Sequence, residues 1–299
     1  MQPIELTGLD GGNLLGYLAA LGTLRVLTMA DRTAHVRMSW ADKEHWTPLV
    51  HHPHMDICEE LITVLEPQLS GPIEPAWQVG DDLTLNRGQF REHLAAQLAA
   101  VEPSKRETVD WLAAFGSEVY GVGPKKERMS DTEIRAIGGG QQCFLGTMRE
   151  LAAGTDAGHL RRTLFAPWDY SDDRPSMRWD PADYRPHALR ADNPSKAPIK
   201  TMRGANLLAV QALPLFPVVP SGGRAHTTGF QVRDGRTEIT WPIWIDPLDV
   251  NTISSLLASP EVQEADRHTM IRRGIVQIFR ARRYTEGQYR NFSPAKTLL

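Results

Sequence analysis

The sequence predicts an α+β fold, a mixed N-terminal domain with a buried first helix and β-hairpins followed by a helical, basic C-terminal portion. Three observations carry this expectation. Residues 14–27 are apolar nearly all the way round a helix, which suits a core position rather than a surface one. Ala34, Val36, Met38 and Trp40 alternate with His35, Arg37 and Ser39, the period of a half-buried strand. Asp234-Gly235 then leads into Ile239, Trp241, Ile243 and Ile245 alternating with Glu238, Thr240, Pro242 and Trp244, the mark of a hairpin.

In chain order, Ile4 to Leu9 reads as a strand or turn, and Asn13 is a good N-cap for the helix that follows. Gly16 and Gly22 inside that helix predict close approach to another backbone. Helical spacing recurs over about 59–65, 89–100 and 108–115. The stretch from Gly116 to Gly146, rich in glycine and basic residues, predicts long loops, and the Pro-rich residues 166–203 predict an extended, irregular passage. Ala205, Leu208, Ala209, Ala212 and Leu213 mark a short helix stopped by Pro214. Pro242 pushes its strand toward an edge, because proline has no N–H for a ladder. From about Val250 to Ala281 the pattern predicts helix again. The resulting organisation is 1–160 (acidic, mostly helical), 161–249 (Pro-rich segment and hairpin) and 250–299 (basic helical tail).

The 299 residues include 41% hydrophobic and 23% charged ones, enough to bury a core and too apolar for a disordered chain. Mean hydropathy is −0.35, and the longest apolar stretch is interrupted by Gly16, Gly22 and Arg25, so no membrane span is expected. With no basic leader before an apolar run, a cytoplasmic location is expected. Cys58 and Cys143 lie far apart, against a disulfide framework or cysteine-built zinc site. Charge is asymmetric. Residues 1–150 hold 13 Lys and Arg against 21 Asp and Glu, a balance of −8, and residues 151–299 hold 20 against 15, a balance of +5. From Arg267 to Lys296 eight basic residues face one acid, Glu286, which suits a polyanionic partner.

No phosphate-binding P-loop, nucleophile elbow, His-Glu-x-x-His or dinucleotide fingerprint occurs. His51, His52 and His54 with Asp56 and Cys58 offer transition-metal ligands, but their spacing fits no familiar site and a solvated loop is the plainer reading. Asp169, Asp172, Asp173 and Asp180 offer carboxylates for magnesium, interleaved with arginines that equally suit ion pairing. The run from Asn193 to Asn206 combines Lys196, Lys200 and Arg203 with small and amide residues, as phosphate positioning with groove contact requires; a basic loop anchoring a helix start has the same composition. Arg272, Arg273, Arg280, Arg282 and Arg283 stand among Phe279, Tyr284, Tyr289 and Phe292, a pairing of guanidinium with aromatic groups that suits nucleic-acid backbone and bases.

The opening Leu6-Thr7-Gly8-Leu9-Asp10-Gly11-Gly12-Asn13-Leu14-Leu15-Gly16-Tyr17-Leu18-Ala19-Ala20-Leu21-Gly22-Thr23-Leu24-Arg25 resembles that of large-subunit-type proteins of type I CRISPR surveillance (Cascade) complexes, especially the I-U or I-G branch. The run Arg203-Gly204-Ala205-Asn206-Leu207-Leu208-Ala209 through Ala212-Leu213-Pro214-Leu215-Phe216-Pro217 is also similar. The resemblance implies a noncatalytic subunit that contacts the short motif beside the DNA target (PAM recognition), helps open the duplex and docks the nuclease-helicase. Its implied partners are CRISPR RNA, double-stranded target DNA and the other subunits, with no cofactor.

Within that expectation Lys125, Lys126, Gln141, Gln142, Lys196, Lys200, Arg203, Asn206 and Arg224 are candidates for DNA and PAM contact, since Arg, Asn and Gln read base edges while Lys mainly positions. Arg272, Arg273, Arg280, Arg282 and Arg283 are the phosphate-backbone candidates. The alternative is a metal-dependent nuclease using the 169–173 aspartates or the histidine cluster. A protein-only scaffold whose acidic front half meets a basic partner is the third reading.

Overall fold

Residues 2–100, 102, 106–137, 142–183, 200–286 and 289–299 are described by the computed structural model. The chain opens with β1 (Ile4–Glu5) and a glycine-rich turn, where the Asn13 side chain accepts from the backbone N–H of Leu15 (2.8 Å) and Gly16 (3.2 Å). That cap starts α1 (Leu14–Ala30), every residue of which from Leu14 to Leu27 is buried. β2 (Arg37–Asp42) and β3 (Trp46–His51) complete an antiparallel sheet of order β1-β3-β2. Three helices follow, α2 (Cys58–Leu69), α3 (Arg87–Ala100) and α4 (Glu107–Phe115), as the apolar spacing predicts.

The expected long loops after Gly116 give way to a hairpin, β4 (Gly116–Val122) and β5 (Arg128–Asp131). Glycine serves strand packing there. A Cβ at Gly116 would lie 2.4 Å from the Ser130 carbonyl oxygen and one at Gly121 1.9 Å from that of Lys126. After α5 (Phe144–Gly154) and α6 (Ala157–Phe165), β6 (Asp172–Asp173) pairs with β7 (Lys200–Thr201), which leads into α7 (Arg203–Gln211). β8 (Val218–Ser221) and β9 (Arg224–Thr227) form a hairpin.

β10 (Phe230–Arg233) and β11 (Arg236–Trp244) are the predicted hairpin, and Asp234 (φ 47°) and Gly235 (φ 73°) are both left-handed, as its tight turn requires. Thr240 N–H donates to the Gly229 carbonyl, so the alternating backbone aims the Pro242 nitrogen the same way, beyond the end of β10. β11 is therefore not the expected edge strand but lies between β10 and β12, and the proline is tolerated because its nitrogen faces past the end of β10. α8 (Val250–Leu257), α9 (Pro260–Glu264) and α10 (Arg267–Arg272) follow. The expected helix does not continue to Ala281. β12 (Ile275–Glu286) is a twelve-residue strand, paired with β11 and with β13 (Tyr289–Phe292) and β14 (Lys296–Thr297). Among the described residues no helix is long and apolar enough to cross a membrane.

The core joins the three sequence portions. Tyr17 of α1 stacks on Trp40 of β2 (5.5 Å between centroids), Trp244 of β11 meets Trp40 edge-on (5.8 Å), and Trp241 stacks on Phe279 of β12 (5.8 Å). The Trp241 and Trp244 indoles donate to the carbonyls of Gly11 and Met38, both at 2.8 Å. α1 crosses α7 where Gly22 meets Leu208, and Gly16 lies against the Asp10 backbone.

A Cβ at Gly22 would lie 1.7 Å from the Leu208 carbonyl oxygen, so alanine must force the two helices apart. Gly22→Ala should therefore destabilise by about 3 kcal/mol, at the upper end of overpacking costs. Gly146 in α5 has its nearest neighbour at an ordinary 3.5 Å and no left-handed φ, so Gly146→Ala should stabilise by about 0.5–1 kcal/mol. Urea unfolding of the two variants, with opposite signs expected, checks the crossing.

Candidate nucleic-acid interface

The sequence-predicted basic tail becomes sheet, and a sheet divides its residues between two faces. Cross-strand register puts Ile239, Trp241, Phe279, Ala281, Arg283 and Phe292 on the core face. The opposite face carries Arg233 and Arg236 as a directly opposed pair, then Glu238 opposite Arg282, Thr240 opposite Arg280, and Arg280 opposite Lys296. By register five cations thus share a face with two acids, Glu238 and, at the end of β12, Glu286. Two arginines directly opposed are mutually destabilising by about 0.2–1 kcal/mol, a cost that a bound polyanion would offset.

Some of these guanidinium groups brace the fold. Arg280 Nε donates to Thr240 Oγ1 (2.9 Å) and Nη2 to the Gln263 carbonyl (2.6 Å), which ties β12 to the end of α9. Burial lowers its pKa first, with Arg233 adding to the effect and Glu238 opposing it. Arg233 reaches the same Gln263 carbonyl and also Gln231 Oε1 (2.6 Å). Others stay available. Arg236 and Lys296 are exposed and, among the described residues, their side chains make no hydrogen bond or ion pair, and the Arg282 guanidinium lies 4.6 Å over the Tyr284 ring. Arg272 is exposed at the end of α10, and Arg273 pairs with Glu261 at 3.2 Å.

Arg283 departs from its expected phosphate-backbone role. It points to the core face, where Nη1 donates to the Glu133 carbonyl (2.8 Å) and Nε is buried without a partner among the described residues. Burial, helped by nearby Arg290, pushes its pKa down to about 10. Asn206 is also corrected. It is fully buried, its Oδ1 accepts from Met177 N–H (2.8 Å), and its Nδ2 donates to Thr201 Oγ1 (3.0 Å) and the Met202 carbonyl (2.9 Å), leaving nothing for a base edge.

The remaining candidates are scattered. Lys125 and Lys126 are exposed at the β4–β5 turn, and Arg224 is exposed on β9 with its Nε donating to His226 Nε2 (3.0 Å). Gln142 accepts from Arg178 Nη2 (3.0 Å), Lys200 pairs with Asp173 (2.8 Å), and Arg203 donates to the Arg174 carbonyl (2.9 Å). Gln141 and Lys196 lie outside the described residues. The face therefore assembles Arg280 and Arg282 from the expected set with Arg233, Arg236 and Lys296. The sequence held a signal for the added pair, since a two-residue Asp234-Gly235 turn places Arg233 opposite Arg236.

The aspartates lie in ion pairs and local hydrogen bonds. Arg162 pairs with Asp172 (2.5 Å) and Asp169 (3.3 Å), and Asp172 also accepts from Arg203 N–H (2.8 Å). Asp180 Oδ1 accepts from Ala182 N–H (2.9 Å) and Asn13 Nδ2 (3.2 Å). Hydrogen bonds from Ser171 hold Asp169 below the usual carboxylate range, and Lys200 does the same for Asp173. His51 belongs to β3 and shares a hydrogen bond with Ser39 (2.8 Å), its pKa lowered by burial and by Arg37. Among the described residues no group of three or more His, Cys, Asp or Glu is placed to hold a metal ion.

No family model matches the chain, and no curated protein matches it.

Asn206→Ala should cost about 2–3 kcal/mol, because it strands the buried Met177 N–H. Arg236→Ala should stay within about 0.5 kcal/mol, as a surface change does. Urea unfolding of both separates residues that hold the fold from those available to a partner.

Proposed function

We propose that the chain is a noncatalytic, cytoplasmic subunit of a type I CRISPR RNA-guided surveillance complex, contacting target DNA beside the guide-paired site, aiding duplex opening and recruiting the nuclease-helicase. Two things support this reading. The resemblance of residues 6–25 and 203–217 supplies the complex, and the cationic face of the β10–β14 sheet supplies the observation on which nucleic-acid binding rests. On that face Arg236, Arg282 and Lys296 take phosphate oxygens, and the Tyr284 ring beneath Arg282 offers an apolar platform. Arg272 extends the phosphate track from α10. Lys125, Lys126 and Arg224, on two exposed hairpins, are the residues left to probe the target-adjacent motif.

Affinity purification of the tagged chain from its native cell should recover companion subunits and a discrete repeat-derived RNA. In duplex-DNA binding, the triple variant Arg236→Ala/Arg282→Ala/Lys296→Ala should flatten the salt dependence by about 2–3 units, roughly one per lost phosphate contact, evenly across sequences. Arg161→Ala, which removes a surface partner of Glu59, should leave the slope unchanged. Recovery of the chain alone and free of RNA overturns the complex. An unchanged slope in the triple variant overturns the face.

A further inference from the structure

A cavity of about 410 Å³ opens on the side of the acidic half, between α1, α2, α4 and the end of α7. That is the size of an ordinary small-ligand pocket. Its one buried charge is Arg25, 8% exposed, a residue of the otherwise apolar α1. The guanidinium lies 5.3 Å from the centre of the Trp111 ring and donates through Nη1 to the Gln211 carbonyl at a long 3.4 Å. Among the described residues it makes no ion pair, and its other N–H donors are not sealed from solvent. A mostly buried guanidinium with one long hydrogen bond keeps donors to spare toward the cavity, and a carboxylate matches its planar geometry.

The other charges lining the cavity are acids. Glu107 pairs with Arg32 (3.3 Å), and Glu74 accepts from Thr108 Oγ1 (2.6 Å). A dianionic group bound to Arg25 would face both carboxylates, whereas a ligand carrying an ammonium beside its own carboxylate satisfies both ends. Val26, Met29, Leu69 and Ile73 supply an apolar wall of the same cavity. We propose that this cavity binds a small apolar zwitterion of the α-amino-acid class, with its carboxylate on Arg25, its ammonium toward Glu74 and Glu107, and its side chain along that wall. Burial lowers the Arg25 pKa from its ordinary value while Glu107, Asp110 and Glu74 raise it, which is consistent with a cation held ready inside the protein.

Calorimetric titration of the full chain tests this with four probes of one shape: L-phenylalanine, 3-phenylpropionate, 2-phenylethylamine and phenyl phosphate. L-phenylalanine should bind saturably with one-to-one stoichiometry, and each of the others more weakly by about tenfold, the loss of one charged contact. Arg25→Met keeps an apolar stem and should abolish binding. Because that change lies in the core, two further variants are read beside it. Glu74→Gln should weaken L-phenylalanine and leave 3-phenylpropionate unchanged, and Ala152→Leu, which fills the cavity, should weaken every probe. The proposal is overturned if L-phenylalanine does not saturate, if another probe binds as tightly, or if folded Glu74→Gln and Ala152→Leu bind L-phenylalanine as the parent chain does.

Discussion

The fold depends on one close crossing of two backbones. A helix as apolar as α1 must be surrounded, and the contact that surrounds it most closely is α7, which lies against Gly22 through the Leu208 carbonyl. α7 is held as tightly on its other side, where a Cβ at Gly204 would lie 2.5 Å from Thr163 Oγ1 and 2.7 Å from the His159 carbonyl oxygen. Three helices, α1, α7 and α6, therefore stack at separations that only glycine permits. Around this stack the two main sheets are fixed by aromatic residues. Tyr17 carries the contact from α1 to Trp40 of the first sheet, and Trp244 and Trp241 carry it to the second. The acidic front and basic rear of the sequence meet inside one continuous core.

What the stack does not reach, buried polar side chains organise. Arg135, only 9% exposed in its side chain, pairs with Asp82 (2.7 Å) and Asp131 (2.6 Å) and donates to the Ile137 carbonyl (3.0 Å). One guanidinium ties the segment before α3 to the segment after β5, beside the backbone bridge of Asn86 with Arg128. Breaking a buried pair of this kind costs about 3–5 kcal/mol because the remaining charges lose their partners. Asn206 plays the same part between α7 and the segment around Met177. Its three side-chain hydrogen bonds explain why an amide stands in a helix whose other buried residues are mostly apolar.

Legibility in the sequence follows from how many faces of an element are buried. α1 was readable because its composition leaves no polar face and Asn13 marks its start. The β10–β11 hairpin was readable because Asp234-Gly235 admits few other conformations. β12 was not. Ile278 and Phe279 are both buried, so the period-two alternation is blurred at the centre of the strand, and the arginines that flank it resemble the charged ends of a helix. β4 was missed for a different reason, since Gly116 and Gly121 look like loop residues until their partners across the hairpin are known. Of the candidate site, residue types were legible and faces were not. Arg282 and Arg283 are neighbours in sequence and face opposite sides of the sheet.

That last difference changes what a basic tail means. Read as a helix, eight cations over thirty residues form one diffuse positive surface. Laid out as strands, they divide. Arg283 turns to the core and Arg280 is spent holding α9, so charge that counts in the sequence does not all reach solvent. The loss is compensated from outside the tail, by Arg233 and Arg236 brought alongside through the hairpin. A polyanion would therefore meet a smaller set of cations than the composition suggests, but a set whose spacing is fixed by hydrogen-bonded strands rather than by mobile side chains on a helix surface. Fixed backbone spacing limits the ordering that binding a polyanion would require, so the placement of the arginines counts for more than their number.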